Sequence, residues 1–178
     1  MSEKKLTSQE IYRGKAVCLR VDVVEKGRGE KASREIVEHD QCVVAVALDV
    51  EDNVLLVRQF RYPIGKALLE VPAGGIDTGE TPEDAVRREL QEEIGYLPRK
   101  LDRLGGFYSI PGYGTEYMHC YLARDLVPGR LEAEDTEGIE VVRVPLERVN
   151  GLIASGEICD AKSIAALLMY LHVWWEGD

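Results

Sequence analysis

The sequence predicts a single domain of the α+β class, in which strands fill most of the first two thirds and helices close the chain. Three observations support this prediction. Apolar, β-branched runs recur in the first half, a capped acidic helix follows two glycines near the middle, and two helical patterns end the chain. The length of 178 residues and the 45% hydrophobic content are sufficient for one hydrophobic core.

The first part of the chain predicts a small antiparallel sheet. Residues 11–24 read as one or two strands broken near Gly14, and residues 33–39 return as a further strand after a turn rich in glycine and lysine. We therefore divide the chain into N-terminal strands, residues 1–40, and a main domain, residues 41–178, which together form one structural unit.

The next strands are expected to form the core. Residues 42–49 and 54–60 are two apolar runs around a polar turn, and they predict a central hairpin. A short strand at residues 68–71 is broken at Pro72, immediately before the acidic helix.

Strands and helices alternate in the last part of the chain. Residues 101–108 and 118–123 predict strands on either side of a loop rich in glycine and proline. The acidic stretch at residues 132–140 predicts a surface loop that leads into another strand. Helices are predicted at residues 146–154 and 163–174.

The most informative segment is residues 74–96, which carries seven acidic side chains against two arginines. Thr81 as N-cap and Pro82 at the first helical position predict where its helix begins. Gly95 predicts where the helix ends.

Three carboxylates of this helix, Glu89, Glu92 and Glu93, are expected to share one face because they lie three and four residues apart. At a separation of about 5 Å and an effective dielectric of about 20, each pair repels by about 3 kcal/mol. A solvated acidic helix would interleave lysines with these glutamates, and the sequence has none there. Because Mg²⁺ and Mn²⁺ prefer hard oxygen ligands, the pattern predicts a divalent-metal site.

Composition argues against several other classes of protein. A net charge of −10 disfavours a nucleic-acid or anionic-membrane partner. No stretch approaches the ~20 apolar residues of a membrane span, and no apolar leader precedes residue 11, so we expect a soluble cytoplasmic protein. Widely spaced cysteines without a C-x-x-C pair indicate reduced thiols. The cysteines are Cys18, Cys42, Cys120 and Cys159.

The spacing within residues 74–96 resembles the signature of the Nudix hydrolases, G-x5-E-x7-R-E-U-x-E-E-x-G-U, in which U is a bulky aliphatic residue. The chain departs from it at Tyr96, where an aliphatic residue is usual, and we expect this change to affect packing and not chemistry. The matching residues are Gly74, Glu80, Arg88, Glu89, Leu90, Glu92, Glu93 and Gly95.

The resemblance covers residues 11–171 and is to the ADP-ribose pyrophosphatase subfamily, in which a proline at the position of Pro111 accompanies ADP-ribose preference. It implies the Nudix fold, an α/β/α sandwich with a mixed central sheet, here beside the N-terminal antiparallel sheet. It also implies a homodimer in which the N-terminal strands reach the partner. The implied reaction is the metal-dependent hydrolysis of ADP-ribose to AMP and ribose 5-phosphate.

The resemblance also implies the residues of a metal site that would hold Mg²⁺ or Mn²⁺. Glu89 and Glu93 are the expected ligands, the Ala73 carbonyl completes the shell and Glu92 assists. The residues expected to orient or support these ligands are Arg88 and Glu80.

The general base and the substrate-binding residues are expected outside the signature. In similar pyrophosphatases the base lies on the loop before a late strand, which indicates Glu137, with Asp135 as the alternative. A guanidinium offers paired donors to a phosphate or ribose, so Arg61 is the main substrate contact. Further substrate-binding candidates are Arg34, Arg58, Gly112 and Glu116.

Two other functions stay open. The same phosphate-binding residues would serve a Nudix hydrolase of another nucleotide sugar, such as GDP-mannose, since only the base pocket would differ. A non-catalytic ADP-ribose sensor is the second alternative, although the chain keeps every carboxylate of the signature.

Overall fold

The computed structural model describes residues 3–133 and 138–174, without the side chains of residues 173 and 174. It divides into two units. The first contains Met1–Gln41 and Tyr108–Tyr117, and the second contains Cys42–Phe107 and Met118–Asp178. The first unit therefore includes a loop segment in addition to the N-terminal strands.

The first unit contains the predicted antiparallel sheet. Its strands are β1 (Lys4–Arg13), β2 (Cys18–Glu25) and β3 (Lys31–Glu38), in the order β1-β2-β3. The predicted start of the first strand at Ile11 is wrong, because β1 begins seven residues earlier. All ten residues of β1 are exposed, so its first part has no hydrophobic alternation from which a strand could be predicted.

A mixed sheet lies in the second unit. It comprises β4 (Cys42–Ala47), β7 (Ala73–Gly75), β8 (Tyr96–Tyr108) and β9 (Tyr117–Pro128), in the order β7-β4-β9-β8. β4 pairs in parallel with β9 and antiparallel with β7. The two glycines before the acidic helix therefore belong to a short strand, where the sequence predicted a break.

A second, antiparallel sheet has the order β10-β5-β6 and contains β5 (Asn53–Arg61), β6 (Lys66–Glu70) and β10 (Glu140–Pro145). A 3-10 turn, Tyr62–Ile64, joins β5 to β6. The predicted central hairpin of β4 and β5 is wrong because these strands lie in different sheets, although an isolated antiparallel bridge joins Leu48, just after β4, to Val54 of β5. Both runs are apolar throughout, and such runs do not specify which strands pair.

Three helices complete the second unit. The first, α1 (Pro82–Glu93), follows the predicted cap, and Gly95 adopts the left-handed conformation expected at its end, with φ 79°. α2 (Val149–Ser155) follows a 3-10 turn, and α3 (Ala161–Met169) continues into one π-helical turn, Tyr170–Trp174. Both C-terminal helices were predicted, with boundaries shifted by a few residues.

Two clusters of buried residues lie on opposite faces of β4. Val43 belongs to the cluster that contains Val86 and Leu90 of α1, whereas Val44 belongs to the cluster that contains Leu167 of α3. Since successive side chains of a strand point to opposite faces, α1 and α3 cover the two faces of the mixed sheet. The predicted α+β class and α/β/α sandwich are therefore confirmed.

Two sequence predictions concern membranes and thiols. Within the described ranges, no helix is both long enough and apolar enough to cross a bilayer. The four cysteines all lie in the described ranges and form no disulfide with one another; three are buried and Cys159 is exposed.

Candidate functional site

Helix α1 is fixed in position by its cap and by its apolar stripe. Asp84 donates its backbone N–H to Thr81 Oγ1 at 3.2 Å, and the Thr81 hydroxyl donates to Asp84 Oδ2 at 2.7 Å. Val86, Leu90 and Ile94 are each no more than 2% exposed, so the stripe sets the rotation of the helix. The neighbouring face therefore carries the glutamates of the signature.

Strand β7 comes close enough to α1 to touch these glutamates. A Cβ atom at Gly74 would collide with the Glu89 carboxylate, so any other residue there would force that carboxylate to move. The Ala73 N–H donates to Glu93 Oε2 at 3.1 Å. The structure thus brings Ala73, Glu89 and Glu93 together, as the predicted metal shell requires.

Arg88 links the other carboxylates of the signature. Its Nε and Nη2 donate to the two oxygens of Glu80 at 3.0 and 2.9 Å, and its Nη1 donates to Glu89 at 2.6 Å and Glu92 at 3.3 Å. Nη2 also donates to the Gly75 carbonyl at 2.8 Å. Arg88 therefore contacts glutamates, as its predicted orienting role requires, and its bonds to Glu80 lower the pKa of that carboxyl.

The positive charges near the two expected metal ligands, Glu89 and Glu93, are not sufficient to keep the pKa of either carboxyl at its ordinary value. Burial, with repulsion from Glu89 as the second cause, raises the pKa of Glu93 to about 8. Burial also raises the pKa of Glu89, because its effect outweighs the hydrogen bond from Arg88. A buried carboxylate and a partly buried one, which repel each other and present oxygen ligands, fit a divalent cation such as Mg²⁺ or Mn²⁺.

These groups line a cavity of about 370 Å³. Arg61, at the end of β5, lines the same cavity, so the structure places the main predicted substrate contact beside the candidate metal ligands. Other lining residues that matter here are Ala73, Glu89, Glu92, Glu93 and Arg88.

A buried glutamate that the sequence analysis missed holds Arg61. Glu70 is 1% exposed and accepts from Arg61 Nε at 2.9 Å and Nη2 at 2.7 Å, and it also accepts from Lys162. Burial alone would raise the pKa of Glu70, but Arg61 and Lys162 together lower it. A single acidic residue at the end of the apolar run Leu68-Leu69 was the available signal.

Two further arginines of the sequence analysis have other partners. Arg34 donates to both oxygens of Glu3 within the first unit. Arg58 lies within β5, three residues before the strand ends, and its Nη2 is 3.5 Å from Glu157 Oε1. Neither arginine lines the cavity that contains Glu89 and Glu93.

The remaining specificity candidates belong to the first unit. Pro111 and Gly112 lie in the loop between β8 and β9, as predicted, and Glu116 lies just before β9. A carboxylate oxygen of Glu116 is 3.4 Å from Nδ1 of His39. Their predicted contacts with substrate stay predictions.

Both candidates for the general base, Glu137 and Asp135, lie outside the described residues. The last described residue before them, Ala133, lines the cavity. Tyr96, the departure from the signature, packs against the core cluster of α1, and its hydroxyl accepts from Arg143 at 3.0 Å. The packing role expected for Tyr96 is therefore confirmed.

Comparison with known proteins gives a match to one family model and matches to relatives over nearly the whole chain. A family model described as the NUDIX domain matches residues 38–167. The chain is 37% identical over 175 residues to the ADP-ribose pyrophosphatase of Bacillus subtilis (strain 168), which spans 97% of this chain and 94% of that protein. It is 33% identical to a methanol dehydrogenase activator of Bacillus methanolicus, over 96% and 93% of the two chains.

A solved structure agrees with these sequence matches. The crystal structure of an ADP compounds hydrolase superposes with a TM-score of 0.88 at 25% sequence identity. The superposition covers 96% of this chain and 93% of the other.

Proposed function

Because the chain belongs to the NUDIX family, we propose that it is a pyrophosphatase that hydrolyses ADP-ribose to AMP and ribose 5-phosphate with a divalent cation. The observation that carries the proposal is the pair Glu89 and Glu93 on α1, which lines one cavity with Arg61 and whose pKa values are both raised because burial outweighs the nearby positive charges. The similarity to an ADP-ribose pyrophosphatase over 97% of the chain supports the choice of substrate.

Glu89, Glu93 and the Ala73 carbonyl would hold the cation, with Glu92 assisting. A divalent ion bound there neutralises pyrophosphate charge and acidifies a bound water. Arg88 keeps Glu89 and Glu92 in place through the hydrogen bonds it donates to them. We propose Mg²⁺ or Mn²⁺, since the donors are hard oxygen atoms.

Arg61 would bind a phosphate of the substrate. Its Nε and Nη2 donate hydrogen bonds to Glu70. Within the described part of the chain, Nη1 has no hydrogen-bond partner. Nη1 is therefore available to donate to an anion in the cavity.

For the general base, we propose Glu137, with Asp135 as the alternative. Glu137→Gln should lower kcat by about 100-fold or more with substrate still bound, because a glutamine cannot accept the proton of the attacking water. Single-turnover release of AMP and a binding assay with ADP-ribose measure the two effects. If Asp135→Asn is the more damaging change, the base lies two residues upstream.

We also propose a cytoplasmic homodimer in which β1 contacts the partner. The four cysteines, none of which forms a disulfide, agree with a reducing compartment. Strand β1 exposes Leu6, Ile11 and Tyr12, and exposed apolar side chains on an unpaired strand edge favour association. Sedimentation equilibrium on the full chain tests this proposal, and a monomer at micromolar concentration would contradict it.

A panel of nucleoside diphosphate sugars tests the substrate. With Mg²⁺ present, we expect ADP-ribose to give AMP with the highest kcat/KM. A kcat/KM for GDP-mannose at least tenfold above that for ADP-ribose would assign the enzyme to the other nucleotide sugar. Binding of ADP-ribose without turnover in Mg²⁺ would instead indicate a sensor.

A further inference from the structure

One edge of the Arg61 guanidinium donates hydrogen bonds to a buried carboxylate, and the rest of the side chain lines the cavity. Its Nε and Nη2 donate to both oxygens of Glu70, while 38% of the side chain is exposed. Paired hydrogen bonds between a guanidinium and a carboxylate fix the plane of the guanidinium as well as its distance. Glu70 therefore determines how Arg61 presents its remaining donors.

Glu70 is itself held by a residue of helix α3. Lys162, near the start of α3, donates to Glu70 and, at 2.9 Å, to Asp160 Oδ2. The same oxygen of Asp160 caps α3 by accepting from the Ser163 N–H at 3.1 Å. The carboxylate that holds Arg61 is thus anchored to a capped helix N-terminus.

A second contact anchors α3 to the same strand end. The Val71 N–H donates to Ser163 Oγ at 2.9 Å, and Ser163 is fully buried. Val71 follows β6 directly and lies two residues before Ala73, whose N–H contacts Glu93. Helix α3 therefore holds both the strand that carries Glu70 and the backbone that leads to the candidate metal site.

We propose that Glu70, held by Lys162, is a positioning residue that orients the Arg61 guanidinium toward the substrate phosphates. This inference rests on the proposed function, because it assigns Glu70 a role in that reaction. Glu70 is 1% exposed and acts through Arg61, so it does not touch the substrate. A buried ion pair is by itself weak support for stability, whereas fixing one arginine rotamer at the edge of a cavity reduces the entropy lost on binding.

Steady-state kinetics of Glu70→Gln test the proposal, with Mn²⁺ affinity measured on the same variant. We expect KM for ADP-ribose to rise about tenfold, with a smaller change in kcat and unchanged Mn²⁺ affinity. In an Arg61→Ala background, the same substitution should change KM by less than about twofold, because no guanidinium remains to be oriented.

Three results would overturn the proposal. They are a KM within twofold of wild type, a parallel loss of Mn²⁺ affinity, and a tenfold rise in KM that persists in the Arg61→Ala background. If Glu70→Gln does not fold, Lys162→Met replaces it; this variant leaves the Arg61–Glu70 bonds in place and should raise KM by about two- to fivefold. An unchanged KM in Lys162→Met would then contradict the proposed role of Lys162 in holding Glu70.

Asp22→Asn provides a matched control, since Asp22 is a buried carboxylate paired with Arg20 in the first unit. It should lower stability without the change in KM that we expect for Glu70→Gln. Wild-type turnover is measured first. Absence of AMP release by the wild type would contradict the proposed function, whereas turnover with a normal KM in Glu70→Gln would contradict this inference alone.

Discussion

Glu70 and Glu93 are both buried carboxylates, and their pKa values shift in opposite directions. Glu70 is 1% exposed and Glu93 is 8% exposed, and burial favours the protonated form of both. Two cations, Arg61 and Lys162, contact Glu70 and lower its pKa. The same two charges also favour the ionised form of Glu93, but burial and repulsion from Glu89 outweigh them and raise the pKa of Glu93 to about 8. The fold neutralises one carboxylate and leaves the other for a ligand to neutralise.

The nearest arginine on the same helix does not correct this imbalance. Arg88 donates to Glu80, Glu89 and Glu92, and its contacts within the described residues do not include Glu93. Glu93 accepts a backbone N–H from Ala73, which carries no full charge. Direct pairing with cations therefore distinguishes Glu70 from Glu93, the candidate metal ligand.

Removing the unneutralised carboxylate should have the largest effect on activity. We expect Glu93→Gln to lower kcat by about 1000-fold, because the amide removes the charged metal ligand while keeping the shape of the side chain. Release of AMP from ADP-ribose in saturating Mg²⁺ measures the loss.

A control on the same helix is Glu83→Gln, in which the amide oxygen can still accept from the Tyr121 hydroxyl. It should retain nearly full activity. Turnover of Glu93→Gln within tenfold of wild type would remove Glu93 from the site and end the distinction drawn between the two carboxylates.

Removing the cation that neutralises Glu70 should have a smaller effect. We expect Arg61→Ala to lower kcat/KM by about 10- to 100-fold, since one charge-assisted contact to phosphate is lost and Glu70 is left with Lys162 alone. Mn²⁺ affinity should stay within about twofold of wild type. A large loss of Mn²⁺ affinity would show that the two carboxylates belong to one electrostatic unit.

The smallest effect concerns stability as a function of pH in the metal-free protein. The pKa of Glu93 rises from its ordinary value of 4.5 to about 8 on folding, so the folded state binds more protons between these values. The contribution of this group to stability is therefore full below pH 4.5 and is lost as the pH rises toward 8. Its slope is at most about 1.4 kcal/mol per pH unit.

Urea unfolding in a chelator at pH 5, 6 and 7 checks this prediction. Glu93→Gln should lose less stability than wild type as the pH rises through this range. Glu70 has the opposite shift, so its own contribution is lost on acidification instead. Identical pH dependence in wild type and Glu93→Gln would contradict the raised pKa.

The sequence predicted best those elements whose signals are local. The cap at Thr81, the stop at Gly95 and the buried stripe of α1 all follow from spacing within one helix. Pairing of β4 with β9 depends on residues about 75 positions apart in the chain, and no local pattern specifies it. Strand β1 is held by its pairing to β2 and not by burial, which hides it from a hydrophobic pattern.

The same contrast applies to the site. The signature places Glu89, Glu92 and Glu93 on one helical face, so their proximity could be predicted. The Glu70 network joins Arg61 to Lys162, from a strand and a helix 101 residues apart in the numbering. The sequence shows that Glu70 follows an apolar run, but it does not show that Arg61 and Lys162 pair with Glu70 and so allow it to be buried.

The most direct test of the account is Mn²⁺ binding, followed by electron paramagnetic resonance, to wild type, Glu93→Gln and Glu70→Gln at neutral pH. We expect Glu93→Gln to bind Mn²⁺ at least tenfold more weakly than wild type, and Glu70→Gln to bind it with wild-type affinity. Equal affinity in wild type and Glu93→Gln would contradict the claim that the unneutralised carboxylate on α1 holds the metal.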